Sequence, residues 1–250
     1  MNHLSLLFCL LFQVTLIATT FAVPDSARRG RTNVKSENGS TIVWLPNSVA
    51  HEPQVHVFSN SGCKRFEIDL VSHLSGTSSA GINDVSVGKS GRMAAGAAAV
   101  GADRRVVALL LLFSPDGKLT RAVGLDSARE ITRLAVDDDD SIWTLCGDGD
   151  GQFLVHCSPL GRELGAFVSR SEIPEAADSV DDLKSGAFTS FGLRGDRVWF
   201  WVAPASTFVS VNRDGSILAR ERVSLERPAG VSTQANAQGG YPLDSGSHNM

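Results

Sequence analysis

Two groups of acidic residues are the strongest candidates for chemistry in this sequence of 250 residues. Asp137–Asp140 form an unbroken run, and Asp148 and Asp150 follow in the Gly-rich segment GDGDGQ. Oxygen-rich turns of this kind suit Ca²⁺, so Asp137, Asp139, Asp148 and Asp150 are the candidate metal ligands. The segment GDGDGQ lacks the later Glu that completes a calcium loop, and solvated turns are the competing interpretation.

Other short motifs give weaker evidence for a chemical site. The segment 88–90 (GKS) ends like a phosphate-binding loop, but Asn83 stands where the first glycine belongs and a strand rather than a helix follows. His156 and Cys157 are adjacent, so they point to opposite faces of a strand. No Gly-x-Ser-x-Gly elbow is present. The sequence therefore predicts no catalytic residue and no cofactor, and it leaves open a Ser/His/Asp site assembled from distant loops.

The elements that carry these residues are short strands. Between Ile131 and Val168 there are four apolar or alternating runs, each closed by Asp, Gly, Ser or Pro. Period-two alternation and tight Gly turns predict a four-stranded antiparallel meander. An apolar strand with a Ser/Asn-x-x-Gly turn recurs about every 50 residues, as repeat architectures require, and it places turn glycines at Gly62, Gly117, Gly161 and Gly215.

Tandem four-stranded units predict an all-β fold, a β-propeller of about four four-stranded antiparallel blades. The Ala-rich segment Arg92–Val100 is interpreted as a strand and Ser72–Ala80 as a connector. The first unit, Thr41–Leu70, lacks an obvious first strand. Thr32–Lys35 or Val231–Ala235 could supply it and close four blades. Alternatively, the propeller is incomplete or part of a larger one, because open sheet edges invite pairing with another chain.

The turn Asp137-Asp-Asp-Asp140-Ser-Ile-Trp143 resembles the D-x-x-G-x-I-W turn of NHL-type and related six-bladed propellers, including gluconolactonase-like and streptogramin-lyase-like proteins. A degraded copy spans Arg194–Trp199, and the resemblance covers roughly residues 40–224. It implies blade architecture rather than a function. It also implies that carboxylates, Asn or His at the mouth of the central channel could hold a metal, a pattern that is not visible in this sequence.

The N-terminal segment has the features of a secretory signal, with an apolar run over Leu4–Ala18 and small residues before a cleavage site after Ala22. The chain is therefore predicted to be secreted or periplasmic. It would meet a membrane only if this segment stayed uncleaved, and about 15 residues is short for a span. The predicted organisation is a signal peptide (1–22), a flexible leader (23–40), the propeller (41–224) and a disordered tail (225–250).

Composition narrows the function classes. The hydrophobic share of 42% supports a core, and a net charge of −4 gives no reason to expect nucleic acid as a partner. Cys63, Cys146 and Cys157 would remain after cleavage, an odd number that leaves at least one thiol unpaired. We expect these cysteines to be small buried hydrophobes in strands.

The leading hypothesis is an exported, non-catalytic β-propeller that binds an unknown protein, peptide or glycan. The absence of a recognisable nucleophile, metal set or acid/base pair favours it. One alternative is a lactonase- or lyase-like propeller with a metal at the channel mouth. A second alternative is a truncated fragment of a larger propeller, which would associate with itself through its open sheet edges.

Overall fold

Strands alternate with tight turns through the whole described part of the chain. A computed structural model describes residues 33–45, 47–48, 54–70, 74, 77–101, 106–124, 130–147, 152–173, 188–202 and 206–223. A 3-10 turn at Arg170–Glu172 follows the thirteenth strand. The strands in these residues are β1 (Asn33–Glu37), β2 (Ser40–Trp44), β3 (Asn47–Ser48), β4 (Val55–Ser59), β5 (Lys64–Ile68), β6 (Thr77–Val87), β7 (Met93–Gly101), β8 (Val106–Phe113), β9 (Leu119–Gly124), β10 (Glu130–Val136), β11 (Ile142–Gly147), β12 (Gln152–Cys157), β13 (Glu163–Ser169), β14 (Phe188–Arg194), β15 (Arg197–Val202), β16 (Thr207–Asn212) and β17 (Ile217–Arg222).

The strands form four antiparallel sheets, which are the blades of a four-bladed β-propeller. Blade 1 has the order β1-β2-β4-β5, blade 2 β6-β7-β8-β9 with β3 beside β6, blade 3 β10-β11-β12-β13 and blade 4 β14-β15-β16-β17. The predicted fold class is therefore confirmed. The described residues form four blades, not the six of the propellers that the turn motif resembles.

The hairpins between the third and fourth strands share one geometry. Gly62, Gly117, Gly161 and Gly215 have φ values of 81°, 82°, 76° and 90°. The N–H of each glycine donates to the carbonyl three residues earlier at 2.8 to 3.0 Å. Glycine adopts this left-handed conformation without steric cost. These turns are where the sequence predicts them.

The first blade contradicts part of the predicted domain organisation. The flexible leader expected over 23–40 is wrong from Asn33 onward, because β1 pairs with β2 from Asn33↔Trp44 to Glu37↔Ser40. Asn38 and Gly39 form the connecting turn with φ values of 46° and 76°, as a two-residue hairpin requires. The strand missing from the first unit is thus β1, close to the alternative Thr32–Lys35. The alternative Val231–Ala235 lies outside the described residues.

The second blade is taller than its neighbours. Strand β6 begins at Thr77, so the connector expected over Ser72–Ala80 is wrong from that residue onward. The Ala-rich segment is strand β7, as expected. The short strand β3 pairs Asn47 with Gly81 and so ties a loop of blade 1 to the first strand of blade 2.

The core lies between the blades rather than within them. One hydrophobic cluster joins blades 1 and 2, a second joins blades 2 and 3, and a third joins blades 3 and 4 around the fully buried Trp143 and Phe200. In the described ranges no helix is long and apolar enough to cross a membrane. The signal peptide (1–22) and the tail (225–250) lie outside those ranges.

The contact between blades 2 and 3 predicts a sharp steric effect at Gly96. A Cβ there would stand 2.5 Å from Cγ2 of Ile131, which is fully buried. We expect Gly96→Ala to lower the free energy of unfolding by about 1–3 kcal/mol, the usual cost of overpacking. Gly124→Ala is the control, because nothing lies within 4 Å of its Cβ. Urea denaturation measures both, and equal midpoints would contradict the expectation.

Candidate functional site at the central channel

The first strands of the four blades surround a central channel. At the end where these strands begin lies a cavity of about 360 Å³, to which every blade contributes. We call this cavity the channel mouth. It is lined by Asn33, Val34, Lys35 and Trp44 of blade 1, Asn83 and Asp84 of blade 2, Arg133 of blade 3, and Ser190, Phe191 and Trp199 of blade 4.

The most buried charge at the channel mouth is Asp84, whose carboxylate connects three blades. Its Oδ1 accepts a hydrogen bond from the N–H of Val85 at 2.9 Å. Its Oδ2 accepts one from the N–H of Leu134 in blade 3, also at 2.9 Å. Lys35 Nζ of blade 1 lies 3.9 Å from the same Oδ2 and donates to the Leu134 carbonyl at 3.1 Å.

The protonation of Asp84 reflects opposing effects. Burial raises the pKa of its carboxyl above the usual range, while Lys35 and the two backbone N–H donors act in the opposite direction. Both oxygens are already occupied by backbone donors. Asp84 is therefore a structural link between blades, and each of its oxygens already accepts one backbone hydrogen bond.

The same kind of contact recurs two residues further along strands β6 and β10. Ser86 Oγ accepts from the N–H of Val136 at 3.0 Å and donates to Glu37 Oε2 at 2.7 Å. Glu37 Oε2 also accepts from the N–H of Val87 at 3.1 Å. Each of these acceptors lies 50 residues before the N–H that it satisfies, as Asp84 does. We call this set of side chain-to-backbone bonds the inter-blade ladder.

Cationic and amide groups complete the polar lining of the channel mouth. Arg133 donates from Nη1 to the Thr132 carbonyl at 2.6 Å. Asn83 Nδ2 donates to the Ile131 carbonyl at 2.8 Å and lies 3.3 Å from Glu130 Oε1. These bonds hold the Arg133 and Asn83 side chains to blade 3 beside the cavity. The mouth therefore combines two basic groups with one carboxylate that is already hydrogen-bonded.

Aromatic side chains form the walls of the channel mouth. Trp44 is 5% exposed, and its Nε1 has no hydrogen-bond acceptor in the described part of the chain. Trp199 stacks on Phe208 with ring centroids 5.7 Å apart. It also lies flat over Gly192, where an added Cβ would come 2.5 Å from the ring. The small residue at 192 thus lets Trp199 approach strand β14.

The opposite end of the channel holds paired charges. A second cavity of about 360 Å³ is lined there by Glu37, Lys89, Asp138 and Arg213, among others. Lys89 Nζ contacts Asp138 Oδ2 at 2.6 Å. Arg213 Nη2 donates to Asp137 Oδ1 at 3.0 Å, and Nη1 forms an ion pair with the same carboxylate. Opposite charges neutralise one another at this end, whereas basic groups predominate at the channel mouth.

Of the candidate metal ligands, the structure describes Asp137 and Asp139. Asp137 is paired with Arg213. Hydrogen bonds from the Ser141 hydroxyl and from the Ser141 N–H, the latter at 2.9 Å, lower the pKa of the Asp139 carboxyl. Asp148 and Asp150 lie outside the described residues, beyond the six-residue strand β11. In the ranges that the structure describes, no group of three His, Cys, Asp or Glu could hold a metal ion.

The cysteines occupy the positions expected of small hydrophobes in two of three cases. Cys146 and Cys157 are fully buried in the cluster between blades 2 and 3, and Cys63 is exposed in a hairpin turn. Cys157 lies opposite Ile142 and Cys146 opposite Ile131, so the two residues do not face each other across adjacent strands. The expectation that these three residues are buried in strands is therefore wrong for Cys63.

His156 points away from Cys157, toward blade 4, as their adjacency predicts. Its ring stacks on Trp143 with centroids 4.2 Å apart and planes 8° from parallel. Burial lowers the pKa of His156, and Asp139 partly opposes that shift. The guanidinium of Arg213 lies 5.6 Å from the Trp143 ring, on which His156 also packs. His51 and His73 lie outside the described residues.

The residues of the channel mouth carry no local sequence signal. Lys35 and Leu134 are 99 positions apart, and no motif connects either of them to Asp84. One available signal is the 50-residue spacing of the inter-blade ladder, which becomes recognisable once the first strand of blade 1 is assigned. Trp44 and Trp143 are buried in the core, and Trp44 and Trp199 both line the mouth.

The chain is similar to known proteins in structure but not in sequence. No family model and no curated protein sequence matches the chain. Raptor from Chaetomium thermophilum matches with a TM-score of 0.48 and 11% identity over 76% of this chain, which spans 16% of the Raptor chain. Virginiamycin B lyase from Staphylococcus aureus matches with a TM-score of 0.42 and 10% identity, over 79% of this chain and 71% of the lyase chain. The structure of YCF48 bound to D1 peptide matches with a TM-score of 0.41 and 14% identity, over 75% of this chain and 52% of the YCF48 chain.

The hydrogen bonds of the inter-blade ladder predict that Ser86 contributes measurably to the free energy of unfolding. Ser86→Ala leaves the buried N–H of Val136 without its acceptor, so we expect a loss of about 1–3 kcal/mol in the free energy of unfolding. Ser36→Ala is the matched control, because the Ser36 hydroxyl bonds only to Thr41 at the surface, and its effect should stay within about 0.5 kcal/mol. Chemical denaturation of both variants tests this, and equal losses would mean that the ladder contributes nothing.

The stack of His156 on Trp143 predicts a pH-dependent stability. Because the folded state lowers the pKa of His156 below its usual 6.5, the unfolded chain binds the proton first and stability falls as pH drops through that value. We expect His156→Phe, which keeps a stacked ring but does not titrate, to lose less Tm than the unsubstituted protein between about pH 7.5 and about pH 5.5. Thermal melts at both pH values measure it, and an identical decline in the two proteins would refute the assignment.

Proposed function

We propose that this chain is an exported, non-catalytic propeller that binds an acidic glycan, a sugar bearing a carboxylate, at the channel mouth. The observation that carries the proposal is the lining of one cavity by Lys35 and Arg133 together with aromatic side chains. Export through the segment 1–22 would deliver the protein to a compartment where such glycans occur.

The chemistry of the lining favours a sugar over a purely apolar ligand. The C–H faces of a pyranose ring pack on aromatic side chains such as Trp199 and Phe191. Its hydroxyl groups need donors and acceptors, and the amide of Asn33 lines the same cavity. Ligand sites commonly combine apolar walls with a few convergent polar groups of this kind.

The charge of the channel mouth favours an anionic ligand. Lys35 and Arg133 are basic, whereas Asp84 is engaged by two backbone N–H groups and by Lys35. A carboxylate that replaces water beside Arg133 would gain a charge-assisted hydrogen bond, the stronger class of such bonds.

The same lining argues against the lactonase- or lyase-like alternative of the NHL-type propellers. That chemistry would need metal-binding side chains from several blades at the channel mouth. Of the described residues that line the mouth, Asp84 alone carries a carboxylate, and its oxygens are occupied by backbone N–H groups. A binding protein therefore accounts for the mouth with fewer additional groups than an enzyme does.

Calorimetric titration with D-glucuronate and D-glucose tests the proposal. We expect glucuronate to bind more tightly than glucose, because only the acid can pair with the basic groups. Arg133→Met should weaken glucuronate binding about tenfold, which corresponds to about 1.4 kcal/mol. Arg162→Met, on an exposed hairpin of blade 3, is the control and should bind as the unsubstituted protein does.

Two results would contradict the proposal. Equal binding of glucose and glucuronate would remove the role assigned to the basic groups. A rise in Tm with added Ca²⁺ that disappears in Asp84→Asn would instead favour the metal-dependent alternative, because ligand binding to the native state raises its stability.

A further inference from the structure

The junction of blades 1 and 2 and the junction of blades 3 and 4 share an aromatic contact that the junction of blades 2 and 3 lacks. The left-handed glycine of each later hairpin packs against a side chain from the fourth strand of the blade before it. At the junction of blades 1 and 2, Gly117 lies under the ring of Phe66, where an added Cβ would stand 2.5 Å from Cδ2. At the junction of blades 3 and 4, Gly215 lies under the ring of Phe167.

The strand registers show that the two rings fill equivalent space. Phe66 pairs with Val57 beside a bulge, and Gly165 pairs with His156 beside a bulge at the same place in blade 3. Position 165 is therefore equivalent to position 66. Although Phe167 is two residues further on, its ring folds back over Gly165, where an added Cβ would lie 2.6 Å from its Cζ.

Blade 2 has no ring at either of these positions. Arg121 pairs with Leu112 beside the corresponding bulge, so it takes the place of Phe66, and Val123 takes the place of Phe167. The hairpin glycine of blade 3, Gly161, is covered only by Val123 and Leu112. A cavity of about 290 Å³ opens at this junction.

The lining of this cavity is apolar inside, and its charged residues are two arginines and Asp140. Met93, Leu112 and Ile142 are buried and form its floor. Arg92 and Arg121 lie at the rim, and Leu160, which is 62% exposed, extends the apolar surface beyond it. Arg92 lies 4.0 Å from Asp140, whose carboxylate also accepts from Ser90 Oγ. In the described residues Arg121 has no anionic partner.

We propose that this inter-blade groove is a docking site for an acidic peptide segment of a partner protein that carries a phenylalanine. The phenylalanine ring packs on the buried apolar floor of the cavity, at a junction where the fourth strand of blade 2 offers no ring of its own. Carboxylates beside it in the peptide pair with Arg121 and Arg92, since opposite charges across an interface give specificity. Aromatic anchors in buried pockets are the usual source of affinity in such contacts.

A protein segment fits the groove better than a free small molecule. The cavity lies at the outer end of a blade junction, away from the channel mouth, and its exposed Leu160 offers contact area outside the cavity itself. A peptide can place one ring inside and its backbone along that rim. The site does not depend on the function proposed for the channel mouth.

Fluorescence anisotropy with the labelled peptide Asp-Glu-Phe-Asp-Glu tests the proposal on the full protein. We expect saturable binding that weakens at least about tenfold when Ala replaces the Phe of the peptide, and likewise in the protein variant Arg121→Phe, which places a ring in the groove as in blade 1. Arg92→Met should weaken binding while leaving the groove open. Arg220→Phe, on the exposed outer strand of blade 4, is the control and should bind normally.

Three results would overturn the proposal. The first is no binding of the Phe peptide to the unsubstituted protein. The second is equal binding of the Ala and Phe peptides, which would reduce the contact to charge alone. The third is unchanged binding in both Arg121→Phe and Arg92→Met when thermal melts show that the two variants are folded.

Discussion

The first strand of each blade has a full-length partner on one side only, since β3 pairs with just Ala80 and Gly81 of β6. The other edge faces the channel, and a buried N–H group without an acceptor is costly. The inter-blade ladder removes that cost, because Glu37, Asp84 and Ser86 each accept from the first strand of the next blade. The ladder therefore links blade 1 to blade 2 and blade 2 to blade 3, and it engages acidic and hydroxyl side chains of their first strands.

This constraint separates structural from available groups in the channel. Asp84 and Glu37 act as acceptors for the backbone, so the carboxylates nearest the axis are committed before any ligand arrives. Basic side chains cannot accept hydrogen bonds from N–H groups, so they do not take part in the ladder as acceptors. Lys35 still takes part through the Leu134 carbonyl, whereas Arg133 bonds one carbonyl next to itself. The electrostatic character of the channel mouth thus follows from backbone geometry.

The blade repeat could be predicted from sequence because it depends on local backbone requirements. A hairpin glycine with positive φ, such as Gly117 or Gly161, marks its turn whatever surrounds it. Strand β1 was harder to predict, since its sequence NVKSE has no apolar face. The half-buried side chains of this strand, Asn33, Lys35 and Glu37, are all polar. The channel mouth could not be predicted, because Lys35 and Arg133 come together only through the ring of blades and neither belongs to a motif.

The junctions between blades show why a repeat fixes architecture but not surfaces. Each junction must cover a hairpin glycine, and that requirement recurs. The covering group does not, because Phe66 and Phe167 reach equivalent space from positions two residues apart, which a comparison of aligned repeats would not reveal. Arg121 and Val123 stand at the equivalent positions of blade 2 and supply no ring. Since the backbone hydrogen bonds of blades 2 and 3 do not depend on that ring, the junction can lose it without losing the fold. A position of this kind is where a repeat architecture can acquire a site that its neighbouring junctions lack.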